Sequence, residues 1–268
     1  MNLSRRSALT LTGAACVCAP AVAQPTNPGL TAPPAAQQAD WVAYEARLQS
    51  RLTDSGGTVF DEESSRNVLA LTNEVRTEHQ LPQLSWHAEL ALAARAHAGD
   101  LAKRSYLEHI SPEGFDPSHR LWLVGRTTIG SPTENLAFHR APGVPASAAQ
   151  MMNVWRTSPR HWQNHLRPDH THAAFALIRL RDQAWLVGLY ANLLATLPEP
   201  LPFEPDARQV ARALESLPGV LRGRLTSPQG ARPAASEGEA RVRQLTAIRR
   251  RGVGAYDVIG GPIFLNPS

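Results

Sequence analysis

The sequence predicts an α+β fold, a three-layer α-β-α sandwich around a small, mostly antiparallel sheet. Two observations carry this expectation. The middle of the chain holds several amphipathic helical patterns separated by short extended pieces. After them come two nearly unbroken apolar runs, 174–180 and 185–190, flanking Asp182-Gln183. Such runs around a tight turn read as a hairpin buried on both faces. A sheet without a solvated face needs helices on each side. The ~130 residues from about 64 to 194 suffice to bury this core without staples.

Each element has a local reason. Apolar residues at helical spacing predict a short helix over 41–52, which Asp54-Ser55-Gly56-Gly57 breaks. Ser64-Ser65 can cap a helix running to about His79, with Val68, Leu69, Leu71 and Val75 on its apolar side; Leu81-Pro82 ends it. Residues 84–86 are extended. A helix over 88–104 places Leu90, Ala93, Ala94, His97 and Leu101 roughly on one face. A loop carries Glu108-His109-Ile110-Ser111-Pro112, and 131–140 are partly extended. A further helix over 146–156 stops before Ser158-Pro159, and a helical turn holds His161 to His165.

The ends differ from this centre. Residues 1–23 combine Ser4-Arg5-Arg6-Ser7, an apolar run over 8–22 and the small residues Ala21 and Ala23 before Gln24. This is the pattern of an export signal, and the paired arginines favour the twin-arginine route. The expected location is therefore periplasmic or extracellular. Both cysteines, Cys16 and Cys18, fall inside this segment, so cleavage after Ala23 leaves a chain without disulfides, thiol chemistry or thiolate ligands. A lipidated cysteine is the alternative, against which Gly13 stands where a Leu is usual before Cys16. Residues 24–63 read as a Pro/Ala-rich tether and the short helix, 64–196 as the domain, and 197–268 as a Pro-rich spacer followed by a partly helical or disordered Arg-rich tail, with helical patterns near 205–216 and 237–250.

Charge excludes little. Arginine and lysine total 27 against 23 acidic residues, and two of the arginines lie in the export segment. No interleaving of basic and aromatic residues supports nucleic acid as a partner. The densest basic patch is Arg249, Arg250 and Arg251, a candidate contact with an anionic surface.

All ten histidines lie between His79 and His172, inside the predicted domain. Histidine suits metal binding and proton transfer near neutral pH. His161 and His165 are one helical turn apart, a spacing able to hold a metal ion. His170 and His172 have the period of one strand face. With His109 and Glu134 these form the candidate constellation. His97 reads as a satisfied core histidine, and His79, His87, His119 and His139 as exposed or loop residues. No Gly-x-Ser-x-Gly and no His-Glu-x-x-His occurs.

Five stretches follow one another in a known order. They are Asn73-Glu74-Val75-Arg76 through Leu81-Pro82-Gln83-Leu84-Ser85-Trp86; residues 93–101; Leu107-Glu108-His109-Ile110-Ser111-Pro112; Thr133-Glu134-Asn135-Leu136-Ala137; and residues 155–166 with Ser158-Pro159-Arg160-His161. Residues 68–193 thereby resemble the cysteine-rich secretory protein superfamily, the SCP-like or CAP domains, in its bacterial cysteine-free form. The resemblance implies an α-β-α sandwich whose cleft is lined by histidine and glutamate, in some members with zinc or another divalent ion. It maps His109 and Glu134 to that cleft and matches His161 to a bacterial Ser-Pro-Gly-His histidine. Three positions depart from the pattern. Thr133 replaces a glycine before Glu134. Ser158 stands where animal and plant members carry a second glutamate. The last family histidine falls near Asp169 or His170.

The resulting expectation is an exported binding or interaction module with a cleft of His109, Glu134 and His161. Its metal-ligand candidates are His109, His161 and His170, for zinc or another divalent cation. The expected partner is a small molecule, a lipid or a component of the cell envelope. Two alternatives stand beside it. One is a metal-assisted hydrolase of peptide or cell-wall bonds with Glu134 as general base and His109 as its catalytic partner. The other is a lipid or sterol carrier.

Overall fold

The computed structural model describes residues 36–54, 56–229, 231 and 241–266. The export segment 1–23, and the tether as far as residue 35, lie outside the described residues.

The centre is a three-layer α-β-α sandwich. Its sheet has the strand order β1 (Val59–Asp61), β4 (His172–Leu180), β5 (Gln183–Thr196), β3 (Thr128–Arg140), with β2 (Ser85–Trp86) also on β4. Only the β2–β4 pair is parallel. The hairpin turn is one residue earlier than the sequence suggests: Leu180 pairs with Gln183, and Arg181 takes the left-handed conformation at φ 56°. Strand alternation divides the sheet between two cores. Ala174, Ala176, Ile178, Trp185, Val187 and Leu189 face one; Ala173, Phe175, Leu177, Leu186 and Tyr190 face the other.

The first core is covered by α1 (Gln38–Thr53), α3 (Ala88–Arg104) and α4 (Pro117–Val124). Helix α1 is part of the packed body, because Trp41, Tyr44 and Leu48 are buried, with Tyr44 stacked on Phe115 at 4.1 Å. Helix α3 spans the residues that its apolar spacing predicts. Helix α4 has no apolar stripe that announces it. Asp116 caps it by accepting from the His119 amide at 2.9 Å, and Pro117 begins it. His119 is consequently buried, at variance with its reading as an exposed residue, and His139 on β3 is buried too.

The second core is covered by α2 (Glu62–Glu78), α5 (Ala148–Arg156) and α6 (Pro159–His165). Asp61, rather than Ser64 or Ser65, caps α2 by accepting from the Ser64 amide. Ser65 is buried inside the helix, where its hydroxyl donates to Asp61 O and accepts from the Leu177 amide. Arg76 is fully buried and ties α2 to the α6–β4 connection, donating to Pro82 O, His165 O and Arg167 O at 2.7–3.0 Å.

The C-terminal region corrects the expected helical or disordered tail. The first helical pattern is present as α7 (Ala207–Glu215). The described part of the second, from residue 241, is strand instead, in an antiparallel sheet of β6 (Leu221–Thr226), β7 (Arg241–Gly252) and β8 (Ala255–Asn266). Arginines dominate the exposed positions of β7 while Val242, Leu245 and Ala247 are buried, so composition hides a half-buried strand. This sheet docks on the sandwich through a third core containing Ile129, Leu201, Val210, Leu245 and Phe264. Gly260 permits the approach, since a Cβ there would lie 2.1 Å from the Trp122 ring. Arg126 fastens the junction by donating to five carbonyls: Trp122, Leu123, Leu201, Pro202 and Ile263. Its burial pushes the guanidinium pKa down to about 10. Among the described residues no helix is long and apolar enough to cross a membrane.

Candidate functional site

The candidate cleft lies along β3, the strand that ends the central sheet. Alternation along β3 sends successive side chains to opposite faces. Glu134 pairs with Leu189 in the sheet and points toward α3 and α4, whereas Thr133 and Asn135 point toward α6.

Glu134 is the centre of a buried charge network. Its Oε1 lies 2.8 Å from His109 Nδ1 and 3.9 Å from His97 Nε2. Its Oε2 accepts from Arg120 Nη2 at 2.8 Å. Arg120 comes from α4, is fully buried, and also donates to His109 O and Phe115 O. It therefore holds both the carboxylate and the loop that carries His109. Burial by itself would raise the Glu134 carboxyl. The Arg120 guanidinium more than offsets this, with help from His97 and His109, and holds the pKa at about 2. The same ion pair raises the Arg120 pKa against its own burial.

His161 approaches from the other face on α6. Pro159 starts this helix, and Asn135 anchors it by donating from Nδ2 to His161 O at 3.0 Å. Asn164 Nδ2 in turn donates to Asn135 Oδ1 at 3.1 Å. The His161 side chain is buried, yet neither ring nitrogen has a hydrogen-bond partner among the described residues. Burial, with the charge of His109 as a second cause, pushes its pKa down to about 4. His161 is thus within electrostatic reach of His109 and makes no hydrogen bond to it or to Glu134.

The remaining candidates make no hydrogen bond to the side chains of His109, Glu134 or His161 among the described residues. His165 is fully buried, with Tyr190 Oη 3.0 Å from its Nδ1 and its ring against Trp155 and Trp162. His170 stacks on Tyr190 at 5.5 Å and touches Thr133 Oγ1 through Nε2 at 3.2 Å. His172 is half-buried beside Thr171 and packs against His87. His97 bonds Glu108 O through Nε2 at 3.1 Å, as a satisfied core histidine should, but it also borders Glu134. Thr133 fits its place without strain. It is absent from the non-glycine residues with positive φ, and its hydroxyl bonds Asn164 Oδ1 at 2.8 Å. The residue that sequence reasoning missed is Arg120. Nothing local distinguishes it from a surface arginine.

The donor set falls short of a ready metal centre. Among the described residues no group of three or more His, Cys, Asp and Glu is arranged to hold a metal ion. Both Glu134 oxygens are engaged, one by a permanent cation. His109 Nε2 and the two His161 nitrogens are the donors left at the cleft, and tetrahedral zinc sites draw at least three protein ligands. His170 is held on a different group, Thr133 and Tyr190.

Residues 69–190 match the model of the family described as CAP, the cysteine-rich secretory protein family. A Bacillus subtilis (strain 168) protein named an uncharacterized membrane protein, YlbC, is 29% identical over 116 residues, which is 43% of this chain and 32% of the relative. The chain thus spans about a third of that relative's length. Among solved structures, an outer surface protein from Borrelia burgdorferi superposes with a TM-score of 0.45 at 18% identity, covering 51% of this chain and 98% of its own. An extracellular SCP-domain protein from Bacillus anthracis gives 0.41 at 23% identity over 48% of this chain and 41% of its own.

Proposed function

From the premise that residues 69–190 form a domain of the cysteine-rich secretory protein (CAP) superfamily, we propose that this chain is an exported binding module whose ligand meets His109 and His161. One observation carries the reading. The His161 imidazole is 1% exposed and both of its nitrogens lack partners. Leaving a buried polar group unsatisfied costs about 1–3 kcal/mol, and a ligand that bonds it recovers that cost. The pattern in residues 1–23 supports export to the periplasm or beyond.

Glu134 favours binding over hydrolysis. A general base needs a free lone pair and a pKa near the working pH. Here both oxygens are engaged and the pKa is held at about 2. Glu134 serves instead to fix the His109 ring. With two imidazoles available, a divalent ion would be held weakly and would complete its shell from the ligand.

Zinc titration by calorimetry tests the metal part. His109→Ala and His161→Ala should each weaken binding about tenfold or more, a loss of about 1.4 kcal/mol. Equal binding by wild type and both variants defeats it. Assay against labelled peptidoglycan and peptides should give no turnover; turnover that disappears in Glu134→Gln would establish a hydrolase instead.

A further inference from the structure

The C-terminal sheet contributes to a second cavity, whose lining includes none of His109, Glu134 and His161. The β7–β8 hairpin forms one wall of a hollow of about 480 Å³, and Thr133, His170 and Arg167 form the other. That volume lies within the ~300–1,000 Å³ usual for small-molecule sites. Three guanidinium groups line it, Arg167, Arg249 and Arg251, against the carboxylates of Asp169 and Asp257.

The carboxylates hold the arginines in place without using all their donors. Asp257 Oδ2 accepts from Arg249 Nε and Nη2 at 3.2 and 2.8 Å and from Arg251 Nε at 2.6 Å. One oxygen therefore gathers two cations. Across the hollow, Arg167 forms two bonds to Asp169 at 3.1 and 2.8 Å. Each of the three arginines keeps at least one terminal nitrogen without a partner among the described residues. Side chains held this way lose less freedom when a ligand arrives. Strand alternation turns Arg250 off this wall, and its Nε donates to Gly252 O instead. Tyr256 pairs with Arg250 and Val258 with Ile248 across the hairpin, so their side chains share the face of Arg250, whereas Asp257 pairs with Arg249 and shares its face.

We infer that this hollow binds a phosphate ester, with the phosphate against Arg167, Arg249 and Arg251. The terminal nitrogens left over on three guanidinium groups come from separate side chains, more than one planar carboxylate can meet, whereas a tetrahedral dianion presents oxygens in several directions. The inference goes beyond the cleft reading and uses none of its residues.

The test is calorimetric titration of the full chain with glycerol 3-phosphate, beside co-sedimentation with vesicles of phosphatidic acid and of phosphatidylcholine. Saturable binding of the soluble ester is expected, weakened about tenfold or more in Arg251→Gln and in Arg167→Gln. Arg250→Gln and His109→Ala should leave it unchanged. Arg167 is on the wall opposite the hairpin and pairs only with Asp169, so a folding defect in the hairpin cannot account for its loss. Binding to phosphatidic acid vesicles alone, with the same variant pattern, would identify the phosphate as a lipid headgroup. The inference is overturned if neither probe binds, if phosphatidylcholine binds equally, if Arg250→Gln loses as much as Arg251→Gln, or if both the 167 and 251 variants retain wild-type affinity.

Discussion

Replacing Arg120 by Met keeps most of the side chain's volume and removes its charge. The wild-type guanidinium is fully buried and supplies Glu134 Oε2 with its partner at 2.8 Å. Without it the carboxylate stays in the interior with only His109 and His97 for company. Losing one member of a buried ion pair costs about 3–5 kcal/mol. The carboxyl pKa gives a similar figure. Returning it from about 2 to the ordinary 4.5 is worth about 3 kcal/mol at 1.4 kcal/mol per unit. For a domain of this size that lowers the melting temperature by roughly 6–20 °C. The sign against pH follows from the depressed value. The wild-type contribution is complete above pH 4.5 and is lost as pH falls toward 2, so Arg120→Met should have a shallower acid limb. Urea unfolding at pH 7 and pH 4, with the double variant Arg120→Met/Glu134→Gln, is the assay. The double variant should regain at least half of the loss, because the stranded charge has gone. A cost below about 1 kcal/mol, or no recovery in the double variant, would refute the argument.

Three further outcomes are expected. His97 and His165 are buried and neutral, their pKa values pushed down to about 3 by burial; unfolded imidazoles titrate near 6.5. The unfolded state thus binds more protons, and stability that is complete above pH 6.5 should fall by about 2 kcal/mol per histidine by pH 5. A urea midpoint that is equal at pH 7.5 and 5 would contradict this. Gly188→Ala places a Cβ 2.9 Å from the rings of Phe175 and Trp155, and overpacking of this kind should cost about 1–3 kcal/mol in a thermal melt. Asp100→Asn removes the charge that accepts from Arg51, Arg104 and Tyr106 between α1, α3 and the following loop; denaturant titration should show a loss of about 3 kcal/mol, and a change within experimental error would mean the network is redundant.

Legibility in the sequence follows how local the cause is. Helix α3 and the β4–β5 hairpin are readable because apolar spacing alone sets them. Helix α4 is not, because its buried face includes His119 and Arg120, whose side chains are satisfied by the Asp116 amide and the Glu134 carboxylate. Strand β7 reads as a helix because a register shift between Gln244 and Thr246 breaks the period of two, leaving Val242 and Leu245 three residues apart. At the cleft, motif order points to His109, Glu134 and His161, and the hydrogen bond between the first two is a contact across 25 residues of chain. The third remains separate from them. Arg120 belongs to a geometry that only tertiary packing creates. The basic run 249–251 reads as one patch; pleating splits it, sending Arg249 and Arg251 to Asp257 and Arg250 elsewhere.

The knot at Arg126 bears on how this protein could be dissected or inherited. Three of its five acceptors, Leu201, Pro202 and Ile263, come from beyond the stretch that relatives share. A swap of residues 69–190 alone between homologues would strand that cation in a dry junction and bare the Trp122 ring. The unit that must travel together is longer than the unit that ancestry reveals, and its extra length is what the arginine counts on.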